Sequence, residues 1–135
     1  MNFGGIAFVV IIVAFIGFEM HAASRNSYRM EPEHVFGQFA SADRAVSECK
    51  TPQLDRLAKF KRNYGYARNR AYAALAAKNP EASPQEVDDM VTVAQQVVHR
   101  EVDALIAEKG CEDIEVWKLL KRFENLARLN LPIAD

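Results

Sequence analysis

The first hydrophobic pattern along the chain is a continuous apolar segment near the N-terminus. Residues 3–18 read FGGIAFVVIIVAFIGF and contain no charged or strongly polar side chain. Sixteen helical residues span only about 24 Å, whereas residues 1–23 would span about 34 Å and cross a hydrocarbon core of roughly 30 Å. We therefore predict a single transmembrane helix at 1–23, which contacts membrane lipid, and a connector at 24–30.

Two other interpretations of the apolar segment stay open: a cleaved signal peptide and a buried helix of a soluble protein. A signal peptide normally carries a basic region before its apolar core, and this sequence has none there. The Ala22-Ala23-Ser24 stretch is also a poor small-x-small cleavage site. A retained span is accordingly the preferred prediction.

Three phenylalanines, Phe8, Phe15 and Phe18, share one face of the predicted span. A face of bulky side chains suits contact with lipid or with a neighbouring span. The segment has no G-x-x-x-G pair of the kind that lets two spans approach closely. We predict that these phenylalanines face the membrane interior and that the span is a plain anchor.

The rest of the chain, 31–135, contains four patterns of apolar residues at helical spacing, which predict one domain. The first pattern runs from about Pro32 to Glu48. Its apolar stripe consists of Val35, Phe39, Ala42, Val46 and Cys49. The second pattern begins with Thr51 as N-cap and Pro52 at the first helical position, and ends near Asn79-Pro80. Its stripe consists of Leu57, Phe60, Tyr64, Ala67, Ala71 and Ala74.

The third helix has the clearest start signal, because Ser83-Pro84-Gln85-Glu86 combines a capping box with proline at the first helical position. It is expected to end at Gly110, and its stripe consists of Val87, Val91, Ala94, Val98, Val102 and Leu105. The fourth runs from about Glu112 to Leu129, with an inward side formed by Val116, Leu120, Phe123 and Ala127 and with Trp117 beside them. No segment shows the apolar-polar alternation of a strand. The predicted fold class is all-α, a small four-helix bundle-like domain behind one transmembrane helix.

The two cysteines fall at comparable places in this topology. Short connections make neighbouring helices antiparallel, so the first and third helices should end at the same pole of the bundle. Cys49 closes the first helix and Cys111 follows the third. The topology therefore predicts a disulfide between them, and two buried free thiols remain the alternative.

Membrane orientation depends on two opposing signals. Arg25 and Arg29 follow the span and no basic residue precedes it, which favours a cytoplasmic domain. A disulfide instead favours an oxidising compartment outside the cytosol. We give the cysteines more weight and predict a single-pass membrane protein whose domain is extracytoplasmic, or periplasmic, with a cytoplasmic domain as the alternative.

Charge is balanced overall but uneven along the chain. The 17 basic and 18 acidic residues give a formal charge of -1, so nothing attracts nucleic acid globally. Residues 53–78 carry seven basic residues and one acid, whereas residues 81–109 carry seven acids and two basic residues. One interpretation is that these charges only help the second and third helices to pair.

The other interpretation is a binding surface on the second helix. Its candidate residues are Lys59, Arg62, Arg68 and Arg70, which are interleaved with aromatic residues in KFKRNYGYARNRAY. Cations beside aromatic rings can bind phosphate and stack on bases. For an extracytoplasmic domain we expect an acidic protein or lipid headgroups as the partner, and nucleic acid only if the domain is cytoplasmic.

The sequence nominates no catalytic residue, metal site or cofactor. His21, His34 and His99 are spread over three segments and belong to no metal-binding motif. The glycines are too scattered to form a phosphate-binding loop. Cys49 and Cys111 suit a structural bridge better than a redox centre.

Taken together, these patterns predict a noncatalytic, membrane-anchored accessory subunit that binds protein partners within a larger envelope membrane complex. The first alternative is a cytoplasm-facing adaptor whose basic helix binds an acidic protein, lipid headgroup or nucleic acid. The second is a small thiol-redox or other enzyme. The accessory-subunit prediction rests on the architecture of a span joined to a small helical domain, not on site chemistry.

Overall fold

A computed structural model describes residues 31–132, and this range folds into four α-helices. They are α1, Pro32–Cys49; α2, Leu54–Lys78; α3, Pro84–Lys109; and α4, Ile114–Ala127. Residues 31–132 contain no strand, so the all-α prediction is confirmed for the domain. The predicted span at 1–23, the connector at 24–30 and the membrane-facing Phe8, Phe15 and Phe18 lie outside the described residues. Among the four helices described, none has the length and apolar character to cross a bilayer.

Both ends of α3 follow the sequence signals. Glu86 donates its backbone N–H to Ser83 Oγ at 3.1 Å, and the Ser83 N–H donates to Glu86 Oε1 at 3.3 Å. These two bonds form the predicted capping box. At the other end Gly110 has a φ of 81°, a conformation that glycine adopts without steric cost, and its N–H reaches Ile106 O.

Two details of the other helices differ from prediction. α2 begins at Leu54 rather than after Thr51, because Lys50 and Gln53 are extended and belong to the connection that leaves α1. α4 begins two residues later than expected, because Asp113 is its cap and accepts the backbone N–H of Glu115 at 2.8 Å. Trp117, which the sequence places beside the inward residues of the fourth helix, is 50% exposed.

The helices pack around α1, which contacts the other three. α2 lies beside α1 and also contacts α3 and α4, whereas α3 and α4 barely touch each other. Their shared core is built on five aromatic rings with centroid separations of 4.4 to 5.9 Å. These rings belong to Phe36, Phe39, Phe60, Tyr64 and Phe123.

The predicted common pole of α1 and α3 is confirmed. Cys49 and Cys111 form a disulfide, with their Cα atoms 5.5 Å apart. The opposite pole brings the end of α2 back to the start of α1, where Lys78 Nζ lies 2.7 Å from Glu33 Oε1. The helices therefore run up, down, up and down, as the short connections require.

Asn63 is a buried polar residue that the apolar pattern did not reveal. It is 2% exposed, and its amide donates to Leu126 O and to Leu129 O, each at 2.9 Å. The last carbonyls of a helix have no partner within it, so this amide satisfies oxygens at the end of α4. Asn63 thereby fixes the end of α4 beside the middle of α2.

Candidate functional site

Four of the seven cations of α2 are neutralised inside the domain, by acids on three different elements. Arg56 pairs with Glu124 of α4, Lys61 with Asp43 of α1, Arg68 with Asp88 of α3, and Lys78 with Glu31 and Glu33 at the start of α1. Arg68–Asp88 is an ion pair that joins α2 to α3. The cations of α2 are therefore neutralised by acids of several neighbouring elements and not by the acidic α3 alone.

The other three cations of α2, Lys59, Arg62 and Arg70, have no ion-pair partner within residues 31–132. Together with Tyr66 they follow spacings of three, four and four, which place them on one side of the helix. Arg62 and Arg70 are exposed, and Lys59 and Tyr66 are partly exposed. We call these four residues the α2 basic face.

The surroundings of the α2 basic face are open. A Cβ atom added at Gly65, beside Tyr66, would meet nothing within 4 Å. Lys59 and Arg62 are one turn apart and carry like charge, an arrangement that slightly destabilises a helix. The fold therefore gains no pairing energy from these cations, which stay available to an external anion.

The fourth predicted contact residue, Arg68, lies on another side of α2. It is partly buried and donates to Asp88 Oδ1 at 2.9 Å and to Thr92 Oγ1 at 3.5 Å on α3. The structure thus brings Lys59, Arg62 and Arg70 together and directs Arg68 to the α2–α3 contact. Partner binding by these residues stays a prediction.

A second exposed feature lies on α4 and is formed by Trp117 and Lys121. Lys121 Nζ lies 5.5 Å from the centroid of the Trp117 ring, a cation-π contact. Trp117 is two turns before Glu124 and so shares its side of α4, the side that pairs with Arg56 of α2. This pair was not singled out from the sequence, although the i, i+4 spacing of Trp117 and Lys121 could have signalled it.

Within the part of the chain that the structure describes, no three His, Cys, Asp or Glu side chains converge in a way that could hold a metal ion. His34 and His99 lie on different helices, and both cysteines are used by the disulfide. The third histidine, His21, lies outside the described residues. Comparison with protein-family models, with curated proteins and with solved structures finds no match for this chain.

His99 is a partly buried histidine whose pKa is lowered by its surroundings. Its Nε2 is buried without a hydrogen-bond partner and lies 3.8 Å from Asp43 Oδ2. Burial lowers the pKa of His99, and although the charge of Asp43 opposes that effect, Arg44 and Lys61 add to it. The histidine is therefore held neutral between α1 and α3.

This burial should make the domain less stable in mild acid. Because the pKa of His99 is lower in the folded state than its ordinary value of about 6.5, the unfolded chain takes up the proton first as pH falls. The free energy of unfolding that neutral His99 helps to maintain is fully present above about pH 6.5. It is lost as pH falls towards the lowered pKa. We expect His99→Gln to flatten the fall in the free energy of unfolding between neutral and mildly acidic pH, measured by urea denaturation. Parallel profiles for the two proteins would contradict this assignment.

Proposed function

We propose that this protein is a noncatalytic, membrane-anchored accessory subunit of a larger envelope membrane complex, with an extracytoplasmic, disulfide-bridged helical domain. The observation that carries the proposal is the α2 basic face, whose three cations have no ion-pair partner within residues 31–132. A surface of this kind fits an anionic binding partner. The predicted span at 1–23 supplies the anchor, and its phenylalanine face would contact spans of the protein partners.

The contrast within α2 is the main support for a binding role. Arg56, Lys61 and Arg68 each pair with an acid of a neighbouring helix and so help to define the packing. Lys59, Arg62 and Arg70 contribute nothing comparable to the fold. Their grouping on one side of the helix is explained better by an external partner than by the packing of the domain.

The Cys49–Cys111 disulfide supports the extracytoplasmic placement, because such bridges persist mainly in oxidising compartments. The competing proposal is a cytoplasm-facing adaptor that binds an acidic protein, lipid headgroup or nucleic acid through the same face. Arg25 and Arg29 favour that orientation under the positive-inside rule. The two orientations predict opposite redox states for the cysteines.

Orientation and anchoring can be tested on the full chain in its native membrane. We expect the protein to float with vesicles after alkaline extraction if the proposed span at 1–23 anchors it. We also expect both cysteines to resist alkylation until they are reduced, and external protease to reach the domain in spheroplasts. Free thiols together with a protected domain would instead establish the cytoplasmic adaptor.

The accessory role has a separate test. Mild detergent extraction should release this chain in a particle whose protein mass, measured by light scattering, exceeds that of the chain itself. Mass spectrometry should then find other membrane proteins at fixed stoichiometry. A particle that contains only this chain would contradict an accessory subunit, whatever the orientation.

A further inference from the structure

We propose that the α2 basic face and the adjoining Trp117–Lys121 pair form one surface that rests on anionic lipid headgroups, so that the domain lies along the bilayer. This inference deepens the proposed function by naming the anionic partner, and it rests on the membrane anchor of that proposal. The surface belongs to α2 and α4 only, and α3 takes no part in it.

The two parts of the surface are continuous because α2 and α4 lie side by side and run parallel. Phe60 packs against Phe123 at a centroid distance of 4.4 Å, and Asn63 donates to Leu126 O three residues further along both helices. Lys59 lies one turn after Arg56, the residue of α2 that pairs across to α4. The α2 basic face therefore begins directly beside the contact between the two helices.

The surface carries a net excess of cations. Lys121 and the exposed Arg128, which lies three turns after Trp117, add their charges to those of Lys59, Arg62 and Arg70. The acid Glu124 is already engaged by Arg56 and by Lys50 Nζ at 3.9 Å, which leaves Asp55 as the opposing charge at the start of α2. Because α3 and α4 barely touch, the acidic α3 lies off this surface. An anionic bilayer would attract one side of the domain and not the other.

The aromatic residues fit the same interpretation. Trp117 is half exposed and Tyr66 partly exposed, each among cations. Tryptophan and tyrosine favour the headgroup level of a bilayer, where one end of the side chain is apolar and the other is hydrated. Leu129, which is also exposed, follows α4 at the level of Asn63. Basic and aromatic side chains together are typical of surfaces that lie at a membrane interface.

The position of the anchor brings this surface within reach of lipid. The connector at 24–30 can extend at most about 24 Å, so a retained span holds the domain next to the bilayer. It joins the domain at the start of α1, and Lys78 shows that α2 ends at this same pole. A tether of this length raises the effective concentration of headgroups at α2 without any new contact. A free acidic protein has no such advantage.

Trp117 allows a direct test because it is the single tryptophan of the chain. The full chain would be reconstituted in phosphatidylcholine vesicles with or without phosphatidylglycerol, each containing a headgroup-labelled quencher. We expect quenching of Trp117 fluorescence to be roughly twofold stronger with phosphatidylglycerol, and we expect added salt to remove the difference because it screens headgroup charge.

A matched pair of variants distinguishes the effect of this surface from the effect of the net charge of the domain. R62Q/R70Q removes two cations from the α2 basic face, and R100Q/K109Q removes two exposed cations from α3. The first variant should clearly weaken the dependence on phosphatidylglycerol, because it removes two of the five cations of the surface, and the second should leave it unchanged. Thermal unfolding should be unchanged in R62Q/R70Q, because neither arginine has an ion-pair partner within residues 31–132.

The outcomes distinguish this inference from the proposed function. Equal quenching in both vesicle types, with the chain still bound in flotation, would overturn the lipid contact and leave the anchored subunit intact. If R62Q/R70Q also reduced the protein mass of the detergent particle, the face would be assigned to an acidic protein instead. Failure of the wild-type chain to float with the vesicles would overturn the anchor and this inference together.

Discussion

Removing the Cys49–Cys111 disulfide should lower the free energy of unfolding of the domain by about 4 kcal/mol. The bridge joins residues 62 positions apart and so connects the ends of α1 and α3. On the chain-entropy account, a cross-link that closes a loop of this size removes about 4 kcal/mol of conformational freedom from the unfolded chain. Small domains have only about 5 to 15 kcal/mol in total, so the variant should lie close to its unfolding threshold.

The measurement is urea denaturation of full-length C49S/C111S beside the oxidised wild type, followed by circular dichroism in mild detergent. Reduction of the wild type should reproduce the variant, and a reductant should have no effect on the variant itself. A loss below about 1 kcal/mol would contradict this account and would mean that residual structure already restrains the unfolded chain without the bridge.

The second large effect should come from Phe60, which has no exposed surface and lies at the centre of the aromatic core. Its ring packs against Phe39 at 5.4 Å, Tyr64 at 5.9 Å and Phe123 at 4.4 Å, so it joins α2 to both α1 and α4. Phe60→Ala should destabilise the domain by about 3 to 5 kcal/mol, because it removes buried apolar surface and leaves a cavity that the surrounding helices fill only in part.

Leu54→Ala provides the matched control for Phe60→Ala. Leu54 is on the same helix and is 84% exposed, so its truncation should change the free energy of unfolding by less than about 0.5 kcal/mol. Both variants can be measured by urea denaturation with near-ultraviolet circular dichroism as the readout. Similar losses for the two variants would contradict the assignment of Phe60 to the centre of the core.

The two substitutions should lower the free energy of unfolding for different reasons, and the near-ultraviolet signal of the native protein can distinguish them. The disulfide acts mainly on the unfolded chain, whereas Phe60 acts through contacts of the folded state. C49S/C111S should therefore leave the near-ultraviolet signal of the native protein largely intact. Phe60→Ala should weaken that signal even in the absence of denaturant.

Local chemistry explains why the helices could be predicted from sequence. The capping box at Ser83 and the stop at Gly110 depend on residues within one or two turns, so both ends of α3 agree with prediction. The start of α2 was misplaced because Thr51 and Pro52 also suit the extended connection that follows Cys49.

Periodicity and short connections were enough to predict the four helices and, through the up-down topology, the pairing of Cys49 with Cys111. Which cations of α2 are neutralised depends instead on how the helices pack. Arg68 and Arg70 are two residues apart with the same charge, yet Arg68 meets Asp88 of α3 and Arg70 lies on the open side of α2. That difference depends on which neighbouring helix each side of α2 faces, and composition and spacing along a single helix carry no information about the acids of its neighbours.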